Sequence, residues 1–250
     1  PPAPDVLPTL PYGSLAWLVY PMSTTTYLES YYQRQPVFFQ RRNRSFYNHP
    51  RQKKNIDLWQ EINRNVGKKS SRTRTYISAR ATRMGQDVEP FHYWKSTEVV
   101  ASFTKQEVQK GLKLADRGAK WDPPALDYLY EEGYSLQYPA IELHWKKPYL
   151  FQDLTASTGV YCRLNMYVTP KNNQGFKAHF DSHDVYVLQL RGSKHWKIYK
   201  QPPTLHDFPV SDWGDNKLEI VRQNVSFMKE TALLMDVVLE EGDALYIPRG

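Results

Sequence analysis

The sequence predicts a mainly β fold that also contains helices (α+β), in which antiparallel strands form a barrel or jelly roll. Three observations support this prediction. Short β-branched and aromatic runs separated by turn residues fill the chain from about residue 136 onward. Helical periodicity is found before residue 135. The 18 prolines and 12 glycines in 250 residues favour many short elements over a helical bundle. We therefore predict two regions, 1–135 and 136–250.

The N-terminal region, residues 1–135, is predicted to be mostly helical and to wrap the β region. Ser23 or a neighbouring threonine is suited to cap a helix through Gln35, where Pro36 stops it, and a strand follows over 37–40. Further helices are predicted at three places: 56–66, 104–117 and after Asp122. Residues 68–95 are polar, basic and weakly periodic, which indicates an exposed insertion.

The C-terminal region, residues 136–250, is predicted to consist of strands joined by tight turns. The first strand spans 159–169, where Tyr161, Arg163, Asn165 and Tyr167 share one face because alternate residues of a strand point the same way. Later strands are predicted at six places: 176–181, 185–190, 194–200, 218–221, 233–239 and 244–247.

Charge and composition indicate which partners the protein can bind and in which compartment it is found. The net charge is +7, and the positive charge is concentrated in residues 1–120. A basic surface favours contact with RNA, although a solvated basic face is an equal alternative. The apolar runs are too short to span a bilayer and the start lacks a secretory signal, so we expect no membrane contact. With Cys162 as the single cysteine, we expect an intracellular protein of the cytoplasm or nucleus, and a packing role for this thiol.

His179 and Asp181 form the pattern that indicates chemistry. Residues two apart in a strand share a face, so an imidazole nitrogen and a carboxylate oxygen can meet at one metal ion. This is two thirds of the 2-His-1-carboxylate triad that holds non-haem Fe(II). An ordinary surface pair is one alternative. Pairing of His179 with His183 at helical spacing is another, which the β-branched run over 185–188 disfavours.

Lys194 begins the strand that returns from the turn at 191–193. By alternation it shares an inward face with Trp196 and Ile198. An ammonium group among apolar residues needs an anionic partner, and a dicarboxylate cosubstrate would supply one. A solvated hairpin lysine is the alternative.

An ordered series of motifs resembles the JmjC-type cupin oxygenases, particularly the ribosomal oxygenase subgroup. The series is NMYVTP from Asn165, QGF from Gln174, HFDSHDVYVLQLRGSKHW from His179 and EGDALYIPRG from Glu241. SLAWLVYP from Ser14, with YYQRQPVFFQR after it, is similar to the N-terminal part of that group.

The resemblance implies a double-stranded β-helix that binds Fe(II) and 2-oxoglutarate and uses O2 to hydroxylate a protein side chain, with a ribosomal protein as the leading substrate. His179 and Asp181 match two iron ligands. Lys194 matches the residue that pairs with the far carboxylate of 2-oxoglutarate. Asn165 and Tyr167 match residues that line the cosubstrate pocket, although internal hydrogen bonding within a barrel is an alternative role for both.

The resemblance also places a third ligand, a distal histidine, and a dimerising region beyond Gly250. If Gly250 were the natural terminus, we would expect a weakened or inactive iron site. Two other functions remain open. One is demethylation of N-methyl-lysine in histones, and the other is a non-catalytic module that binds ribosomes or RNA.

Overall fold

A computed structural model of the chain describes residues 10–47, 80–82, 130–131, 135–138, 142, 149–173, 181, 183–200 and 233–250. The chain divides into two compact units, one formed by 1–53, 152–160 and 178–250, the other by 54–151 and 161–177. The sequence-based boundary at residue 135 stays a prediction. Other predicted features fall mainly outside the described residues: helices 56–66, 104–117 and after Asp122, insertion 68–95, and strands 176–181 and 218–221.

Helices α1 (Leu15–Val19), α2 (Thr24–Ser30) and α3 (Tyr149–Thr158) are short. The Ser23 hydroxyl accepts a hydrogen bond from the Thr26 amide at 3.0 Å, so the predicted N-cap of α2 is confirmed. The helix ends at Ser30 and not at the predicted Gln35, and Gln33 after it adopts a left-handed backbone with φ of 57°. In the described part of the chain, no helix is long and apolar enough to cross a membrane.

Short antiparallel strands build three sheets within the described ranges. Their bounds are β1 (Val37–Phe39), β2 (Arg80–Thr82), β3 (Ser135–Tyr138), β4 (Met166–Val168), β5 (Val185–Leu188), β6 (Lys194–Tyr199), β7 (Leu233–Leu239) and β8 (Ala244–Ile247). The sheet orders are β1-β8-β5, β2-β3-β4 and β6-β7. The predicted antiparallel character is confirmed, whereas closure of the strands into a barrel stays a prediction.

The described core forms where the N-terminal segment meets the last strand. β8 is central in its sheet, between β1 and β5, and Ala244, Leu245 and Tyr246 are fully buried. Tyr27 of α2 packs against Tyr246 with their ring centroids 5.3 Å apart. The N-terminal segment therefore belongs to the same packed layer as β5 and β8.

A buried carboxylate fixes the turn between β7 and β8. Asp243 Oδ1 accepts hydrogen bonds from the amides of Arg41 at 2.6 Å and Arg42 at 2.9 Å, and its Oδ2 accepts one from the Glu240 amide at 2.9 Å. The Arg41 guanidinium lies over the Phe46 ring, 4.1 Å from its centroid. These contacts join the segment after β1 to the start of β8.

Gly242 of this turn cannot carry a side chain. Its φ is +95°, and an added Cβ would lie far inside van der Waals contact with the Asn43 carbonyl. We expect Gly242→Ala to lower the free energy of unfolding by roughly 3 kcal/mol. Gly192→Ala is the matched control, since Gly192 also has a positive φ, +62°, but open space around its Cβ position. It should cost only about 1 kcal/mol of left-handed strain. Thermal or denaturant unfolding measures both, and equal losses would show that the contact with Asn43 is not restrictive.

Candidate functional site

The segment that carries Asp181 is tied to the end of the described chain. The Asp181 carbonyl accepts a hydrogen bond from the Gly250 amide at 2.9 Å. Asp184 Oδ1 accepts two more, from the Tyr246 hydroxyl at 3.1 Å and from the Arg249 amide at 3.1 Å. Asp181 itself is half-buried. Its backbone is therefore fixed relative to the residues that follow β8.

His179 lies outside the described residues, so its convergence with Asp181 stays a prediction. Among the residues that are described, no group of three or more His, Cys, Asp or Glu side chains is placed to hold a metal ion. Of the two predicted iron ligands, these residues include only Asp181. His183, the alternative partner of His179 in metal binding, is exposed and precedes β5 by two residues.

The face of β6 that carries Lys194 turns away from solvent. Lys194, Trp196 and Ile198 are half-buried, whereas His195 and Lys197 between them are exposed. The predicted alternation along this strand is confirmed. Burial removes water from the ammonium group and lowers the pKa of Lys194 below its ordinary value. Lys194 therefore bears a desolvated charge on the inner face.

Trp196 adds a second hydrogen-bond donor to this face. Alternation predicted its position there, but no motif in the sequence pointed to a role for it. Its indole Nε1 is buried and has no hydrogen-bond partner among the described residues. Residues two apart in a strand are separated by about 6.6 Å along the backbone, so Lys194 and Trp196 are neighbours on this face. A buried N–H without an acceptor is unfavourable, and a bound carboxylate would satisfy it. This orphaned donor beside a desolvated cation fits an anionic ligand.

The outer face of the same hairpin carries a separate polar network. The His195 ring and the Asp236 carboxylate are hydrogen-bonded, and Lys197 Nζ lies 3.9 Å from Asp236 Oδ2. The hydrogen bond from His195 lowers the pKa of Asp236. All three side chains are exposed, so this network stands on the solvent side, opposite Lys194.

Asn165 and Tyr167 lie in the other compact unit. The predicted alternation is observed, because Asn165 and Tyr167 are exposed while Leu164 and Met166 beside them are half-buried. Tyr167 keeps 44% of its surface exposed. The role of these two residues in lining a cosubstrate pocket stays a prediction. Cys162, the single cysteine of the chain, lies on the half-buried side.

Sequence comparisons find a domain family and several related proteins. The JmjC domain family model matches residues 141–250. The "Bifunctional lysine-specific demethylase and histidyl-hydroxylase NO66" of Aedes aegypti is 26% identical over 245 residues, covering 94% of this chain and 31% of that protein. "Ribosomal oxygenase 1" of Danio rerio is 28% identical over 240 residues, covering 94% of this chain and 36% of that protein.

The NO66 protein of Brugia malayi is 33% identical over 132 residues, which cover 51% of this chain and 17% of that protein. The chain spans about a third or less of the length of these curated relatives. A JmjC domain implies a cupin-like fold, in agreement with the antiparallel sheets described above. The resemblance found in the sequence is thereby confirmed for this region: residues 141–250 match the JmjC domain family, and the chain is similar to proteins named as ribosomal oxygenases.

Proposed function

We propose that this protein is an Fe(II)- and 2-oxoglutarate-dependent oxygenase that hydroxylates a protein side chain, with a ribosomal protein as the leading substrate. The observation that carries the proposal is the inner face of β6. There, a desolvated lysine and an indole N–H without an acceptor lie on one side of one strand. The names of the relatives, which include "Ribosomal oxygenase 1" and "histidyl-hydroxylase", support the reaction and the substrate class.

By residue type, a histidine, an aspartate and a lysine suit the two groups that this reaction needs. His179 and Asp181 would hold the iron, together with a third ligand expected beyond Gly250. Lys194 would hold the far carboxylate of 2-oxoglutarate. When bound, iron and 2-oxoglutarate would supply the oxidation, in which O2 gives one atom to the substrate C–H bond and one to succinate, with release of carbon dioxide.

The chain's own contribution is binding and orientation. Lys194 has already lost water on folding, so less hydration is lost when a carboxylate pairs with it, and the low-dielectric surroundings strengthen the ion pair. A carboxylate there would also raise the pKa of Lys194 and keep it charged. The indole N–H of Trp196 would donate to the same ligand. Asp181 is held at its backbone by the Gly250 amide.

The direct test is oxidation of a ribosomal protein digest by the full-length protein with Fe(II) and 2-oxoglutarate. Hydroxylation adds one oxygen atom to the mass of a peptide. The name "lysine-specific demethylase" among the relatives favours one second candidate, N-methyl-lysine demethylation, in which a peptide loses a methyl group and formaldehyde appears. Salt-sensitive RNA binding without consumption of 2-oxoglutarate would instead identify a non-catalytic binding module and contradict the proposal.

Three further features of the protein stay predictions. They are RNA contact through the basic residues 1–120, a homodimer formed through residues beyond 250, and action in the cytoplasm or nucleus. The net charge of +7 supports the first. Each would be compatible with the proposed reaction on a protein of a ribonucleoprotein particle.

Trp196→Phe tests the second donor, since it keeps an aromatic ring and removes only the N–H. We expect the Kd of 2-oxoglutarate to rise about tenfold, because a hydrogen bond to a charged group contributes roughly 1.5–3 kcal/mol. Calorimetry on the full-length protein loaded with redox-inert Mn(II) gives this Kd.

Without ligand, the melting temperature of Trp196→Phe should not fall, since the lost N–H had no partner among the described residues. Lys197→Met, on the exposed face, is the control. An unchanged Kd for Trp196→Phe would remove Trp196 from the site.

A further inference from the structure

We propose that Asp184 is a positioning residue, which holds the segment of Asp181 and the chain at Arg249–Gly250 in one fixed frame. This inference rests on the proposed function, in which Asp181 is an iron ligand and the next ligand follows Gly250. Neither the motif resemblance nor the names of the relatives assign a role to Asp184. Its role follows from three hydrogen bonds that connect the two segments.

The three hydrogen bonds begin where the regular β5–β8 ladder stops. The last paired residues are Val185 and Ile247. Asp184, the residue before Val185, accepts through Oδ1 from the Tyr246 hydroxyl of β8 and from the Arg249 amide beyond β8, both at 3.1 Å. The Gly250 amide then donates to the Asp181 carbonyl at 2.9 Å. The side chain of Asp184 thus continues, outside the strands, the pairing that the ladder makes inside them.

The donor from β8 is itself rigid. Tyr246 is fully buried, and its ring centroid lies 5.0 Å from that of Tyr186 and 5.3 Å from that of Tyr27. Its hydroxyl oxygen also accepts a hydrogen bond from the Gln33 amide at 2.9 Å. Burial raises the pKa of Tyr246 above its ordinary value, so the phenol keeps its proton and remains a donor. Through Tyr246, Asp184 is therefore anchored to the packed core.

This anchoring matters because metal ligands must be held within a few tenths of an ångström of their bonding positions. Groups that orient ligands without touching the metal are commonly worth 10- to 100-fold in metal affinity. Asp184 lies three residues after Asp181, and Arg249 is the last residue but one before the predicted approach to the third ligand. Asp184 thus connects the segment that carries Asp181 to the residues at the end of β8 and beyond it.

Two substitutions at Asp184 separate its hydrogen bonds from its charge. Asp184→Ala removes the acceptor, whereas Asp184→Asn keeps an oxygen that can accept from Tyr246 and Arg249. In the full-length protein we expect Asp184→Ala to raise the Kd of Mn(II) at least tenfold, and Asp184→Asn to stay within about threefold of the parent protein. Calorimetry or the electron paramagnetic resonance signal of free Mn(II) measures these values.

Tyr246→Phe is the third variant, and it decides the outcome even if Asp184→Ala does not fold. It removes one of the two donors to Asp184 and should raise the Kd of Mn(II) severalfold. In the double variant with Asp184→Ala, the effects should not add, since both remove the same hydrogen bond. A purely structural role would lower the melting temperature and leave the Kd of Mn(II) unchanged in Tyr246→Phe and in every folded Asp184 variant, and that result would overturn the inference.

The parent protein distinguishes failure of this inference from failure of the proposed function. A parent that binds Mn(II) and consumes 2-oxoglutarate, beside variants that bind Mn(II) equally well, would contradict the role of Asp184 alone. A parent that neither binds Mn(II) nor consumes 2-oxoglutarate would contradict the proposed function, and the role of Asp184 with it.

Discussion

Asp181→Ala is expected to abolish turnover of 2-oxoglutarate and hydroxylation of the protein substrate, with a loss on the order of a hundredfold or more. Groups that only orient a metal ligand already contribute up to about a hundredfold, so loss of a ligand should cost at least as much. The affinity for Mn(II) should fall in parallel, because a carboxylate oxygen is removed from the metal. Succinate formation and peptide oxidation are the two measurements.

Asp236→Ala is the matched control for Asp181→Ala. Asp236 is also an aspartate of the JmjC domain, but it is exposed on the outer side of the β6–β7 hairpin and is hydrogen-bonded to His195. Its loss should leave succinate formation and Mn(II) binding near the parent values. Equal effects of the two substitutions, or full activity of Asp181→Ala, would contradict the assignment of Asp181 as a ligand.

Lys194→Met is expected to weaken 2-oxoglutarate binding about a hundredfold without destabilising the ligand-free protein. The first effect follows because truncating one partner of a buried charge pair commonly costs 2–5 kcal/mol, which is roughly 30-fold or more in Kd. The second follows from the lowered pKa of Lys194, whose cause is desolvation of its ammonium group. Folding therefore works against this charge, and a methionine of similar length removes it.

Lys194 should also make the stability of the ligand-free protein depend on pH. Its pKa in the folded protein lies below that in the unfolded chain, so between the two values the unfolded chain binds more protons. The unfolding free energy of the ligand-free protein should therefore rise with pH through this window. Below the pKa of the folded state, the full free-energy cost of burying the charged ammonium group is present. Lys194→Met should lack this rise.

Thermal unfolding with and without 2-oxoglutarate measures both effects of Lys194→Met. At a ligand concentration about 100 times its Kd, the parent protein should gain roughly 2.7 kcal/mol of stability, whereas Lys194→Met should gain little at the same concentration. Lys197→Met, on the exposed face of the same strand, should keep the full gain. A ligand-free melting temperature well below that of the parent would show that Lys194 is structural, and an unchanged ligand-induced gain would place the diacid elsewhere.

Local pattern predicted the last two strands closely but not their partners. The expected spans 233–239 and 244–247 are those of β7 and β8, since apolar alternation and a turn glycine are both local signals. The pairing of Val37 with Tyr246 was not predictable in this way. It joins residues more than 200 apart in sequence, and alternation says only that each segment is a strand.

Alternation along the strands also predicted which residues share a face, but not which face meets solvent. Lys194, Trp196 and Ile198 share an inner face as expected. For 161–168 the alternation is observed as well, but periodicity does not say which face meets solvent, and the face of Asn165 and Tyr167 is exposed. The hydrogen bonds of Asp184 depend on the end of β8, so no local signal could reveal them.

The most direct test of the proposed chemistry is the fate of labelled oxygen. The full-length protein, with Fe(II), 2-oxoglutarate and a ribosomal protein digest under 18O2, should place one labelled atom in the oxidised peptide and one in succinate for each 2-oxoglutarate consumed. Succinate and oxidised peptide should both be lost with Asp181→Ala. Unlabelled products, or peptide oxidation that proceeds equally without 2-oxoglutarate, would contradict the account.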